Sequence, residues 1–149
     1  MKKRISVVLI PVLVMLCFSG CAMAYETCSD IHTDYEGVYI TIDSVDESGD
    51  FPVLNVTWHN ETDQTVTFGV GYAIEYLDEG EWKNILIYDF PIPEIACVLC
   101  PGETGVYNYT TKYFNMLREG RYRVRTEFYV PELQLGTKTT WAEFDLRNK

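Results

Sequence analysis

The chain has 149 residues and a formal net charge of −10, a length that suits one domain with a real core. Removing residues 1–24 takes away Lys2, Lys3 and Arg4 and no acid, which leaves 9 basic residues against 22 acidic ones and a net charge near −13. So acidic a chain is repelled by nucleic acid and by anionic membrane surfaces, so neither is expected as a partner. The charge reads as a solubilising surface, or as attraction to a basic partner.

In chain order, Lys2, Lys3 and Arg4 precede an apolar run from Ile5 to Phe18 that only Ser6 and Pro11 interrupt. A basic start, a short apolar core and then small residues make a secretory signal peptide. The run is shorter than the roughly 20 apolar residues of a spanning helix, and no later segment approaches that length. The cleavage region, within residues 1–24, has two readings. Phe18-Ser19-Gly20-Cys21 is similar to a bacterial lipobox, in which Cys21 is acylated, for example with palmitate, and becomes the new N-terminus; Phe18 departs from the usual aliphatic residue. Ala22-Met23-Ala24 is an A-x-A-like site that would release a soluble protein starting at Tyr25. Under the first reading, membrane attachment is through the lipid alone. Residues 25–34 lack periodicity and read as a spacer, and 35–149 as the domain.

The domain's dominant signal is alternation, the mark of half-buried strands. Val38, Ile40 and Ile42 alternate with Tyr39, Thr41 and Asp43, and Asp46 to Asp50 turns the chain. Leu54, Val56 and Trp58 form the next inward row, followed by a turn at Asn60-Glu61-Thr62-Asp63. A long strand runs from Val66 to Tyr76, with Gly69 and Gly71 marking a bulge or bend. Asp78-Glu79-Gly80-Glu81 is a hairpin turn, followed by Trp82, Ile85 and Ile87. Phe90 to Thr104, with its prolines and Cys97 and Cys100, reads as a loop. Val106 to Tyr113 is a strand candidate, and a brief helix is conceivable only around Thr111 to Leu117. Tyr122, Val124, Thr126 and Phe128 alternate with Arg121, Arg123, Arg125 and Glu127. Trp141 to Leu146 closes the domain. Seven to eight antiparallel strands with regular turns make an all-β sandwich, with Trp58 and the alternating aliphatics at its centre.

Leu117, Gly120 and Tyr122 have the spacing of a tyrosine corner, in which the phenol at the start of a late strand bonds back to the backbone. These residues, with Trp58-His59-Asn60, Gly71-Tyr72-Ala73-Ile74-Glu75, Gly80-Glu81-Trp82, Pro101-Gly102-Glu103 and Phe144, carry a resemblance to the bacterial immunoglobulin-like domains of exported proteins and lipoproteins. It spans about Tyr35 to Leu146. The resemblance implies an immunoglobulin-like sandwich and a surface location. It implies no catalytic residues, since domains of this shape host many functions. The antibody-type inter-sheet disulfide is missing: Val124 stands where its second cysteine would be.

Cys97-Val98-Leu99-Cys100 invites a redox reading, but prolines flank it and no helix N-terminus follows to lower a thiol pKa. Zinc would need four ligands; Cys28, with His32 or His59, would have to complete the set. A structural role is expected instead, with Cys97 and Cys100 bonded together or one of them bonded to Cys28, as export permits. With three cysteines one is left over. The acidic turn Asp46 to Asp50 lacks an EF-hand pattern, and no nucleophile elbow or phosphate-cradling loop appears. No metal or cofactor is implied, and no enzyme. The three arginines are expected to pair with acids on neighbouring strands, or else to form an anion or partner site. Tyr39, Tyr129 and Trp141 read as cover for a sheet edge or as interface anchors.

The function that follows is a non-catalytic cell-surface domain binding an unknown protein or cell-envelope ligand. The alternative is a protease inhibitor acting through the Pro-rich 90–102 loop, and a Cys-x-x-Cys redox protein is a third.

Overall fold

The computed structural model describes residues 30–87, 94–115, 117–134 and 136–147. Cys21, Cys28, both cleavage sites and Phe90–Pro93 of the Pro-rich loop lie outside the described residues. Nine strands are described: β1 Ile31–Thr33, β2 Val38–Asp46, β3 Val53–Asn60, β4 Val66–Asp78, β5 Glu81–Asn84, β6 Ala96–Leu99, β7 Thr104–Thr110, β8 Gly120–Tyr129 and β9 Lys138–Leu146. They form two antiparallel sheets. One has the order β1-β9-β8-β4-β5, with β6 also on β4; the other is β2-β3-β7.

The predicted alternation sets both inner faces. Val38, Ile40, Leu54, Val56 and Trp58 from the small sheet meet Val66, Phe68, Ile74, Val124, Phe128 and Ala142 from the large one, all buried. Trp58 stacks on Phe68 with ring centroids 4.0 Å apart and meets Phe128 edge-on at 6.1 Å. Its indole N–H donates to the Tyr109 hydroxyl at 2.9 Å, so the one polar atom of the ring is satisfied inside the core. Burial pushes the Tyr109 phenol up to about 12.

The bulge predicted at Gly69 and Gly71 is present: the β4–β8 register shifts between Phe68 and Tyr72. The Asp78–Glu81 hairpin closes with positive φ at both central residues, 51° at Glu79 and 87° at Gly80. That is the type I′ geometry, whose twist matches the strands it joins. The brief helix after β7 is a single 3-10 turn, Thr111–Tyr113.

Three expectations are corrected. The strand count is nine, not seven to eight. The stretch 25–34 is not all spacer: β1 pairs Ile31–Thr33 with Thr140–Ala142, and its three residues are too few to show a period. Residues 90–104 are not all loop either, because β6 joins the large sheet beside Val66–Gly69. The paired β4 backbone supplies the hydrogen bonds that the proline-rich flanks lack.

Candidate functional site

The tyrosine corner forms as expected. The Tyr122 hydroxyl donates to the Arg118 carbonyl at 2.8 Å and accepts the Arg118 N–H at 3.1 Å. Leu117 packs against the core from the same loop, and Gly120 opens β8 beneath the Tyr122 ring.

Asn60, expected in a turn, is 1% exposed. Its amide donates to the carbonyls of Gln64, Leu99 and Cys100 at 2.8, 3.2 and 3.0 Å, while its Oδ1 accepts from the Thr62 N–H and hydroxyl. It ties the β3–β4 turn to the end of β6. The signal was in the sequence, because Leu54, Val56 and Trp58 put position 60 in the same inward phase.

Cys97 and Cys100 are free thiols, which corrects one of the two bonds expected, that between them; Cys28, the other expected partner, lies outside the described residues. Cys97 lies on β6 and Cys100 directly follows it. Three residues of strand span about 10 Å at ~3.3 Å each, beyond the ~7 Å between Cα atoms that a disulfide tolerates. Cys97 packs against the core beside Tyr107, whose phenol is raised by burial and by its hydrogen bond to the thiol.

The outer face of the large sheet carries a built array of charges and rings. Glu75, 6% exposed, receives Arg123 in a close ion pair and lies 3.3 Å from Arg125 Nε. The Arg123 guanidinium sits 4.6 Å from the Trp82 ring and 4.7 Å from the Trp141 ring. His32 stacks on Trp141 at 3.6 Å. Rings and cation thus span β1, β9, β8 and β5 with Glu75 of β4 beneath. Arg121 bonds Glu143 and Asp30, which raise its pKa. The arginines therefore pair with acids on neighbouring strands as expected. That Trp82 and Trp141 clasp the middle one was not legible, because nothing in the strand pattern assigned Trp82 to a face. Trp141 is cover for the sheet, half-buried between β1 and β8.

Beyond this array, Gly69, Gly71, Tyr72, Ala73, Arg125, Thr126 and Glu127 line a shallow groove of about 320 Å³. It adjoins one of about 470 Å³ rimmed by Ile95 and Tyr129, which are 53% and 48% exposed.

The outer face of the small sheet is different. Asp43 accepts from the Thr57 and Thr41 hydroxyls at 2.5 and 3.2 Å, Thr41 meets His59 at 3.0 Å, and Asn55 donates to Ser44 at 2.7 Å. Tyr39 stacks on His59 and donates to Glu61, which raises its pKa. His32 and His59 lie on different sheets, and among the described residues no cluster of three metal-ligating side chains occurs.

Two sheets packed face to face with a tyrosine corner define an immunoglobulin-like β-sandwich. The family model for the bacterial Ig-like domain matches residues 34–145, and the chain belongs to that family. Its domains are commonly parts of extracellular or surface proteins and are typically non-enzymatic. No curated protein matches the chain.

Proposed function

We propose that the chain is a non-catalytic interaction domain of a bacterial lipoprotein, held at the outer face of the cell membrane by acyl chains on Cys21. The reading is carried by one juxtaposition: a bacterial Ig-like sandwich over 34–145 follows directly on the leader that ends Phe18-Ser19-Gly20-Cys21. Each buried CH₂ of an acyl chain contributes roughly 0.8 kcal/mol to attachment, so several chains together hold firmly. Nine residues separate Cys21 from Ile31. A tether of that length lets the domain face its ligand from at most about 35 Å above the lipid.

The mass of the mature N-terminus tests the anchor. A diacylglyceryl-modified Cys21 is expected; an unmodified chain starting at Tyr25 would mean a released protein. Capture of a partner by the mature protein tests the interaction role. For the inhibitor alternative, β6 occupies Ala96–Leu99 of the 90–102 element and fixes it to β4, and no observation favours that reading further.

A further inference from the structure

We propose that β7 is a docking edge that accepts an extended, lysine- or arginine-bearing segment of a partner protein as a fourth strand of the small sheet. This rests on the interaction reading above and names the chemistry of the partner.

The order β2-β3-β7 leaves β7 with no strand on its outer side among the described residues. Asn60 N–H donates to the Glu103 carbonyl at 3.0 Å, and Thr111 N–H donates to the Pro52 carbonyl at 2.9 Å. These bonds fix the two ends of the β3–β7 ladder, whose bonded pairs recur at every second residue. Gly105, Tyr107 and Tyr109 therefore bond to β3, opposite Trp58, Val56 and Leu54. Thr104, Val106 and Asn108 turn their N–H and C=O groups to the free edge.

Exposed edges are ordinarily blunted by charge, proline, bulges or brevity. The edge strand β2 carries Asp43 at a register shift, and Asp46. The strands β1, β5 and β6 have three or four residues. The seven residues Thr-Gly-Val-Tyr-Asn-Tyr-Thr of β7 have none of these defences, and Val106 is 70% exposed beside the open groups. Backbone pairing gives affinity in such an addition, and alternate side chains give specificity.

Charge selects the occupant. No lysine or arginine lies between Arg4 and Lys83, and none in β7. The small sheet and its β2–β3 and β3–β4 turns therefore carry acids alone, among them Asp43, Asp46, Glu47, Asp50, Glu61 and Asp63. A cationic strand is attracted to this face; a second copy, itself strongly acidic, is repelled.

The test uses the mature chain in detergent micelles with a short synthetic peptide alternating lysine with valine and threonine. The same peptide with glutamate for lysine is the control. Binding of the lysine peptide is expected, at least about tenfold tighter than its control and weakened by salt as screening requires. Slowed amide exchange is expected at Val106 and Asn108. Val106→Pro removes only an outward N–H, a position where edge strands tolerate proline. It is expected to keep the folded spectrum while weakening the peptide at least about tenfold. Absence of binding, equal binding by Val106→Pro, or protection elsewhere would overturn the proposal. Self-association abolished by Val106→Pro would overturn it too, by giving the edge to a second copy. A partner captured equally by wild type and Val106→Pro would leave the interaction role standing and remove β7 from it.

Discussion

Individual side chains here act as fasteners between elements that are distant in sequence. Tyr122 closes the loop before β8 with two bonds to Arg118. Tyr122→Phe is expected to cost about 1–2 kcal/mol, read as a lower denaturant midpoint with an unchanged slope. Asn60 saturates three carbonyls from two segments, so Asn60→Ala leaves them unmet in a dry site. It is expected to cost roughly 2–4 kcal/mol by the same measurement. The corner was legible because leucine, glycine and tyrosine stand at fixed offsets. The asparagine was not, because Asn-Glu-Thr-Asp also spells a turn and turn chemistry outweighed the inward phase.

At the scale of elements, alternation located β2, β3, β4, β8 and β9, while β7 was expected two to three residues late, as Val106 to Tyr113. It failed for β1 and β6, whose order is conferred by the neighbours they pair with. The same limit hid why Cys97 and Cys100 are not bonded to each other: only the strand under Cys97 separates it from Cys100. Across strands, the Glu75 array couples β4, β5, β8 and β9. Glu75→Ala leaves two arginine cations without their shared counter-charge in a largely covered site, with an expected cost of roughly 2–4 kcal/mol. Arg121→Ala, on the more exposed pair with Glu143 and Asp30, is expected to cost no more than about 1 kcal/mol. Equal losses in thermal or chemical unfolding would contradict the burial argument. Arg123→Lys is expected to be non-conservative, since an ammonium cannot lie flat between Trp82 and Trp141 while bonding Glu75.

Taken whole, the molecule is a sandwich of unequal electrostatics, with its arginine-bearing strand in one sheet and acids but no lysine or arginine on the strands of the other. The sequence displayed the net charge; the segregation appears only once the strands are sorted into layers. The interior sets an alkaline limit. Tyr72 and Tyr109 stack at 4.2 Å, and burial is the main cause pushing both phenols up to about 12 from an ordinary value of 10.0. A raised folded pKa means that the stability these groups contribute is complete below pH 10. It is lost as pH rises toward 12, because the unfolded chain releases its protons first. For the deeply buried Tyr109 the loss is on the order of 2–3 kcal/mol. The late part of the rise in tyrosinate absorbance, that of these two phenols, should therefore coincide with loss of the β-sheet circular dichroism signal in that window. Ionisation of all tyrosines well before unfolding would refute it.

The antiparallel seam of β1 on β9 has a mechanical consequence. Asp30 and Arg147 leave the sandwich at the same end, so tension between the termini loads the seam's outermost hydrogen bonds first. Rows pulled in that direction peel one bond at a time instead of sharing the load. In single-molecule stretching, β1 should detach at low force before the two-layer body yields, acting as a yielding link at the edge of the domain.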